Sequence, residues 1–228
     1  AGIRRAQREV DIDAELIMNF TRDFDEELAI NLIKEHQEIL KRPGTEAYSR
    51  VIGIGLGGNE LANPPTKFKR AYELAKSLGY HRTIHAGEEN SIPFEFLDQA
   101  IDLLKVERID HGIHAWKSER LVNKIIEKQI GLAASPLSNF KLKVFNEMKD
   151  FPVREFLKRG MLLSIHSDDP TFFGGFVGNN YFELGRAVNL SISEYEQLAR
   201  NSIESIFLGR DKKDYYLEKL EKYMGKFR

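Results

Sequence analysis

A parallel α/β fold, with its chemistry at the carboxyl ends of the strands, is what this sequence predicts, and three observations predict it. Short apolar, β-rich runs alternate with longer amphipathic stretches, the pattern of parallel strands joined by crossover helices. The reactive polar residues cluster where those runs end: His85 with Glu88, His111, Ser138 with Asn139, and Asp168 with Asp169. Loops at that face of a parallel sheet or barrel are where active sites are assembled. The chain has 228 residues, 42% hydrophobic and 30% charged, enough for one large domain with a real core.

The first element is a strand, expected over 15–20 ("ELIMNF"). A helix is expected over 24–40, with Phe24, Leu28, Leu32 and Ile39 at helical spacing and His36 facing solvent. The run 51–56 ("VIGIGL") is the second strand. Phe68, Tyr72 and Ala75 set the apolar face of the next helix, and Gly79 stops it. Strands over 82–86, 108–112, 131–135 and 162–169 come next, with helix patterns in "FLDQAIDLL" and "SERLVNKIIEKQIG" between them. Beyond Asp169 no strand pattern appears. Ser193 and Glu196 read as a capping box ahead of "YEQLARNSIESIF", and the charged tail 211–228 reads as a solvated helix. With no fixed-period repeat and no Pro, Gly or Ser-rich linker, residues 1–228 read as a single domain.

Composition excludes several function classes. A formal net charge of −1 creates no global field for nucleic acid or an anionic membrane. The absence of cysteine removes disulfides and thiolate metal sites and fits a reducing, cytoplasmic setting. No apolar run approaches the roughly 20 residues of a membrane span, and no signal-peptide pattern opens the chain. The first residue is Ala1, so the chain reads as starting inside a longer sequence.

The stretch "TIHAGEE" sets His85 at a strand end and Glu88 in the loop after it. "RIDHG" ends a strand on His111, and "SDDP" ends one on Asp168 and Asp169. Each has an ordinary structural alternative: a lone histidine is about as often a hydrogen-bonded core residue, and an Asp ahead of Pro170 is commonly a helix cap. Taken together, histidine nitrogen and carboxylate oxygen suit a hard or borderline divalent metal. A carboxylic acid beside it can protonate an electrophile, and a histidine can manage the attacking water.

The motifs "GIGLGGNE", "NPPTKF", "TIHAGE", "RIDHG", "SPLSNFKL" and "SDDPTFFGG", in this order, resemble the adenosine and adenine deaminase family, over the stretch from the first residues to about Leu208. "ERIDHG", "NPPTKF" and "SDDPTFFGGFVGNNY" are closer to the adenine branch. The resemblance implies a (β/α)8 barrel of the metal-dependent hydrolase type, incomplete here, with about six βα units plus carboxyl-terminal helices. It implies one zinc ion per complete site. His85 and Asp168 match metal ligands, and Asp168 also stands near the attacking water. Glu88 matches the acid that protonates purine N1, and His111 the group that orients and deprotonates the water. Asp169 matches the carboxyl at purine N7, and Gly58 a backbone contact to N3. The implied reaction is adenine to hypoxanthine plus ammonia, in purine salvage. Adenosine to inosine is the alternative, because Gly57, Gly58 and Asn59 resemble the adenosine branch. Two further alternatives are a non-catalytic binding or assembly subunit and another metal-dependent amidohydrolase on the same barrel. His166 stands where the family carries asparagine and reads as polar packing. The family's His-x-His strand, with two more zinc ligands, has no counterpart in these residues. The chain by itself is therefore expected to be inactive, with an amino-terminal segment or a second chain completing the barrel around a small purine.

Overall fold

The structure is a computed structural model and describes residues 2–228. Six parallel strands form one sheet in sequential order: β1 (Leu16–Thr21), β2 (Val51–Gly57), β3 (His81–Ala86), β4 (Arg108–His111), β5 (Gly131–Ala134) and β6 (Leu162–Ile165). Every expected strand is present. The last is shorter than expected because Asp168 adopts a left-handed backbone (φ 56°) and Asp169 then caps a helix. Among the described residues eleven α-helices accompany the strands: α1 (Gly2–Glu9), α2 (Glu26–Leu40), α3 (Lys69–Ser77), α4 (Phe94–Asp98), α5 (Glu119–Glu127), α6 (Pro136–Lys141), α7 (Val153–Lys158), α8 (Pro170–Phe173), α9 (Val177–Val188), α10 (Ile192–Ser205) and α11 (Arg210–Met224). This is the α/β architecture of a partial barrel, six βα units with carboxyl-terminal helices after them.

The core lies between strands and helices. Ile54, Leu56, Ile84, Ile109, Leu132 and Leu163 project from the sheet against Ala71, Leu97, Ile101, Leu121, Ile125 and Phe156 of the helical layer. On the other face of the sheet, β2 presents glycines. A Cβ on Gly55 would sit 2.6 Å from Asn19 Oδ1 and 3.3 Å from the Thr83 methyl, so glycine leaves the space over β2 to side chains of β1 and β3. The end opposite the strand carboxyl termini is closed by the segment after α10. There Phe207 stacks on His81 at 4.5 Å and lies 4.5 Å from the Arg108 guanidinium.

Four expectations are corrected. The buried face of α2 is Ala29, Ile30, Ile33 and His36, while Phe24, Leu28 and Leu32 are 59%, 45% and 37% exposed. The helix carries two apolar rows, and the second lies with Phe20 and Phe68 along a groove of about 170 Å³ beside β1. His36 does not face solvent: its ring meets the Tyr80 hydroxyl and, at 3.0 Å, the Tyr48 carbonyl. Such neutral partners make a buried imidazole tolerable. The capping box is Ser191 with Glu194, because Asn189 ends α9 in the left-handed region and α10 restarts two residues earlier than the pattern suggests. The charged tail is not merely solvated. Lys212 pairs with Asp13 at 2.8 Å, Lys219 with Asp11 at 2.5 Å, and the Tyr216 hydroxyl donates to Asp13 at 2.9 Å. These contacts fasten α11 to the approach to β1.

Candidate active site

Alternation along β3 and β4 sets Thr83, His85, Arg108 and Asp110 on one face, with His85 opposite Asp110 in register. Thr83 donates to Asp110 Oδ1 at 3.0 Å, and Arg108 Nε lies 3.6 Å from the same oxygen. His85 Nδ1 is 3.4 Å from Asp110 Oδ2, an ion-pair separation without hydrogen-bond geometry. Burial works against the Asp110 carboxylate, but His85, Arg108 and Thr83 outweigh it and hold its pKa below the ordinary range. Burial likewise works against charge on His85, and Asp110 more than offsets it, so His85 is raised.

By alternation His111 belongs with Ile109, facing the helices. Its backbone instead turns left-handed (φ 67°), and Gly112 is left-handed as well at φ 66°. A Cβ on Gly112 would meet Leu132 at 2.9 Å, so the turn needs glycine there. The departure costs about 1–3 kcal/mol at a non-glycine residue. It swings the imidazole over the sheet end, 5.0 Å from the His85 ring centre. Asp168 makes the same departure at the end of β6, and its Oδ2 lies 3.9 Å from His111 Nε2. The two strained residues face each other.

Glu88 enters from the turn after β3. Its Oε1 lies 3.4 Å from His111 Nδ1 and accepts a hydrogen bond from the fully buried Asn139 at 3.1 Å. Asn139 Nδ2 is also 3.3 Å from His111 Nδ1. Burial pushes Glu88 up to about 7, aided by the negative charges of Asp168, Glu89 and Glu60 and opposed by His85. Burial, then the charge of His85, holds His111 below the usual histidine range. Burial and Arg108 lower His166 to about 4, and its Nε2 sits 2.7 Å from Ser164 Oγ, in keeping with polar packing.

A cavity of about 320 Å³ opens here, lined by His85, Arg108, Asp110, His111, Ala133, Ser135, His166 and Asp168. The ligand atoms of Glu88, His111 and Asp168 lie within 4.8 Å of one another, which fits a single divalent cation. Imidazole and carboxylate donors suit a borderline ion such as zinc. His85, expected as a metal ligand with Asp168, stands outside that threesome but lines the same cavity, with a buried Nδ1 lacking a hydrogen-bond partner. Gly58, Glu88 and Asp169 are not part of the lining. Gly58 is left-handed at φ 97°, and a Cβ there would meet Asp23 Oδ2 at 2.5 Å. One oxygen of Asp169 accepts from the Thr171 and Phe172 amides at 3.1 and 3.3 Å, so the helix-cap role is filled while its other oxygen stays open. Asp110 was given no role by the sequence, and Asn139 only a place among the polar residues at strand ends. Both lie inside the family motifs, and strand parity with His85 is the signal that points to Asp110.

The family model described as adenosine deaminase matches residues 1–223. The chain belongs to the adenosine deaminase family. An adenine deaminase of Ralstonia pickettii is 38% identical over 216 residues, 95% of this chain and 61% of the relative. Among solved structures, the adenine deaminase of Arthrobacter aurescens superposes with a TM-score of 0.89 at 33% identity, covering 98% of this chain and 65% of that one. A cog1816 amidohydrolase from Burkhoderia ambifaria with bound zinc gives 0.82 at 26% identity, covering 98% of this chain and 62% of the other. The chain thus spans less than two thirds of the length of these deaminase-family relatives.

Proposed function

We propose that this site carries out hydrolytic deamination of a 6-aminopurine, adenine to hypoxanthine and ammonia. The observation that carries the reading is Glu88, an acid raised to about 7 and braced by Asn139 beside a buried histidine. An acid with that pKa holds a proton near neutrality and can pass it to ring N1. The Asn139 amide occupies Oε1, leaving Oε2 to hold the proton. With N1 protonated, C6 becomes electrophilic. His111, kept neutral by burial, accepts the proton of the attacking water, with Asp168 beside its Nε2. Water adds at C6; the proton taken up by His111 passes to the amino nitrogen, the hydroxyl proton returns to Glu88, ammonia leaves, and an oxopurine remains. The open side of the Asp169 carboxyl would meet the ring at N7, and the Gly58 backbone would meet N3.

His85 and Asp168 would hold the zinc ion, with His111 within reach. When bound, zinc supplies a positive charge that makes water more acidic, toward a pKa of about 7. Catalytic zinc usually has three protein ligands, so the reading includes further donors from an amino-terminal segment or a second chain. Purine salvage in the cytoplasm is the proposed setting. Among the described residues no helix is long and apolar enough to cross a membrane. Adenosine is the second reading, favoured by Gly57, Gly58 and Asn59. The test is ammonia release from adenine and adenosine by zinc-loaded protein completed by the amino-terminal segment or second chain that brings the further donors. Release from adenine first is the expected result, and folded, zinc-bound protein that releases ammonia from neither would refute the reading.

A further inference from the structure

We propose, on the deaminase reading of this site, that Arg22 and Glu60 are positioning residues that grip the turn 85–88 from opposite sides. Arg22 lies just past β1 and is 0% exposed, a completely buried guanidinium. Among the described residues no carboxylate lies within ion-pair distance of it. Its donors go to backbone instead: one to the His85 carbonyl at 2.5 Å and one to the Asn63 carbonyl at 3.0 Å. A buried charge is costly unless hydrogen-bonded, and here it is spent on the residue expected to hold the metal.

The reach is unusual. Arg22 stands at the end of β1 and His85 at the end of β3, with β2 between them. The chain makes room with glycine, since a Cβ on Gly58 would lie 3.3 Å from Arg22 Cγ. The base of the arm is fixed as well. The Arg22 amide donates to the Gly57 carbonyl at 2.8 Å, and Lys67 Nζ donates to the Arg22 carbonyl at 3.0 Å.

Glu60 does the complementary job. Both of its carboxylate oxygens accept from the Gly87 amide, at 3.0 and 3.1 Å. A cation therefore holds the carbonyl before the turn, and an anion holds the amide two residues on. Each charge has the sign that the peptide dipole favours. That turn carries both His85 and Glu88, so its placement sets the distance between the metal-binding histidine and the acid. A misplacement of about 1 Å in such a pair can cost on the order of 10² in rate. Arg22 and Glu60 bond to the backbone of that turn, so both act through it.

Glu60→Gln and Arg22→Lys test the proposal in the zinc-loaded protein completed by the segment or second chain that brings the further zinc donors. Glutamine keeps the shape and one acceptor oxygen but loses the charge. Lysine keeps the charge but cannot bridge two carbonyls with a planar fork. Four quantities are read: kcat and KM on adenine, zinc dissociation by chelator competition, and amide exchange at Gly87 and Glu88. Loss of a supporting partner of a ligand costs about 10–100-fold in metal affinity or activity. That loss is expected in kcat or zinc affinity, with KM nearly unchanged and faster exchange confined to the turn. Arg22→Met should be worse than Arg22→Lys; if it does not fold, Glu60→Gln decides alone. Unchanged kcat, zinc affinity and turn exchange in Glu60→Gln would overturn the proposal, as would exchange rising equally in every strand. Should the wild type deaminate neither purine, the deaminase reading fails, and local exchange and zinc retention still judge the clamp.

Discussion

Replacing Glu88 by glutamine should make the protein more stable at alkaline pH while abolishing deamination. The buried carboxyl is raised from 4.5 to about 7, with burial the leading cause. A raised folded pKa means that the group's contribution is fully present below about pH 4.5 and is lost as pH rises through about 7. At 1.36 kcal/mol per pH unit the difference has a ceiling of about 3 kcal/mol. The side chain is 20% exposed, so relaxation and solvent should leave about 1–3 kcal/mol of it. Glutamine has the same shape, never ionises, and retains an oxygen for the Asn139 amide. The assay is urea unfolding of metal-free protein in chelator at pH 5, 7 and 8.5. The variant should match the wild type at pH 5 and exceed it at pH 8.5, while turnover of the zinc-loaded protein, completed by its further zinc donors, falls about 10²-fold or more. A stability difference that does not grow with pH would refute the buried-acid account. Near-normal turnover would remove Glu88 from the mechanism.

Asp168→Asn should lower zinc content, whereas Asp169→Asn should keep zinc and weaken purine turnover; equal zinc retention by elemental analysis would contradict that split. Gly112→Ala should destabilise by more than about 1 kcal/mol, since a Cβ there combines a left-handed backbone with a 2.9 Å approach to Leu132; an unchanged urea midpoint would show that the turn relaxes freely. Tyr216→Phe removes the hydroxyl that donates to the Asp13 carboxylate and accepts the Asp13 amide, both at 2.9 Å. It should cost about 1–2 kcal/mol, and no change in the unfolding midpoint would mean that α11 is not fastened there.

Strands such as β2, Val51–Gly57, were legible because a short run of β-branched and apolar residues is a local signal, and the others because similar short runs alternate with helix patterns. The α2 face was not. Phe24, Leu28 and Leu32 satisfy helical spacing as well as Ala29, Ile30 and Ile33 do, and only tertiary packing chooses between two such rows. His36 was misplaced for the same reason, since its partner Tyr80 is 44 residues away. The tail's role rests on pairs such as Asp13 with Tyr216, separated by 203 residues, which no window of sequence contains. The motif residues His85, Glu88, His111 and Asp168 did converge on one site. Arg22, which supports them, carried no motif. A lone arginine after an apolar run reads as surface until its donors are found on a carbonyl 63 residues away.

The backbone at His111 and Asp168 explains why strand parity could locate the site but not orient it. A regular strand would send His111 to the helix side, and a β6 extended to Asp169 would alternate its carboxylates across the sheet. Both residues leave the β region, at φ 67° and 56°, and so their side chains converge instead of diverging. Aspartate tolerates that conformation comparatively well, and histidine is also enriched there. The residue types that the chemistry calls for are thus among those least penalised by the backbone needed to aim them. The remaining strain is held by the next residue along the chain in each case. Gly112 has no Cβ to meet Leu132, and the Asp169 carboxylate caps α8. Convergence at this site is a property of two strand endings, and the regular strands supply only the platform on which those endings meet.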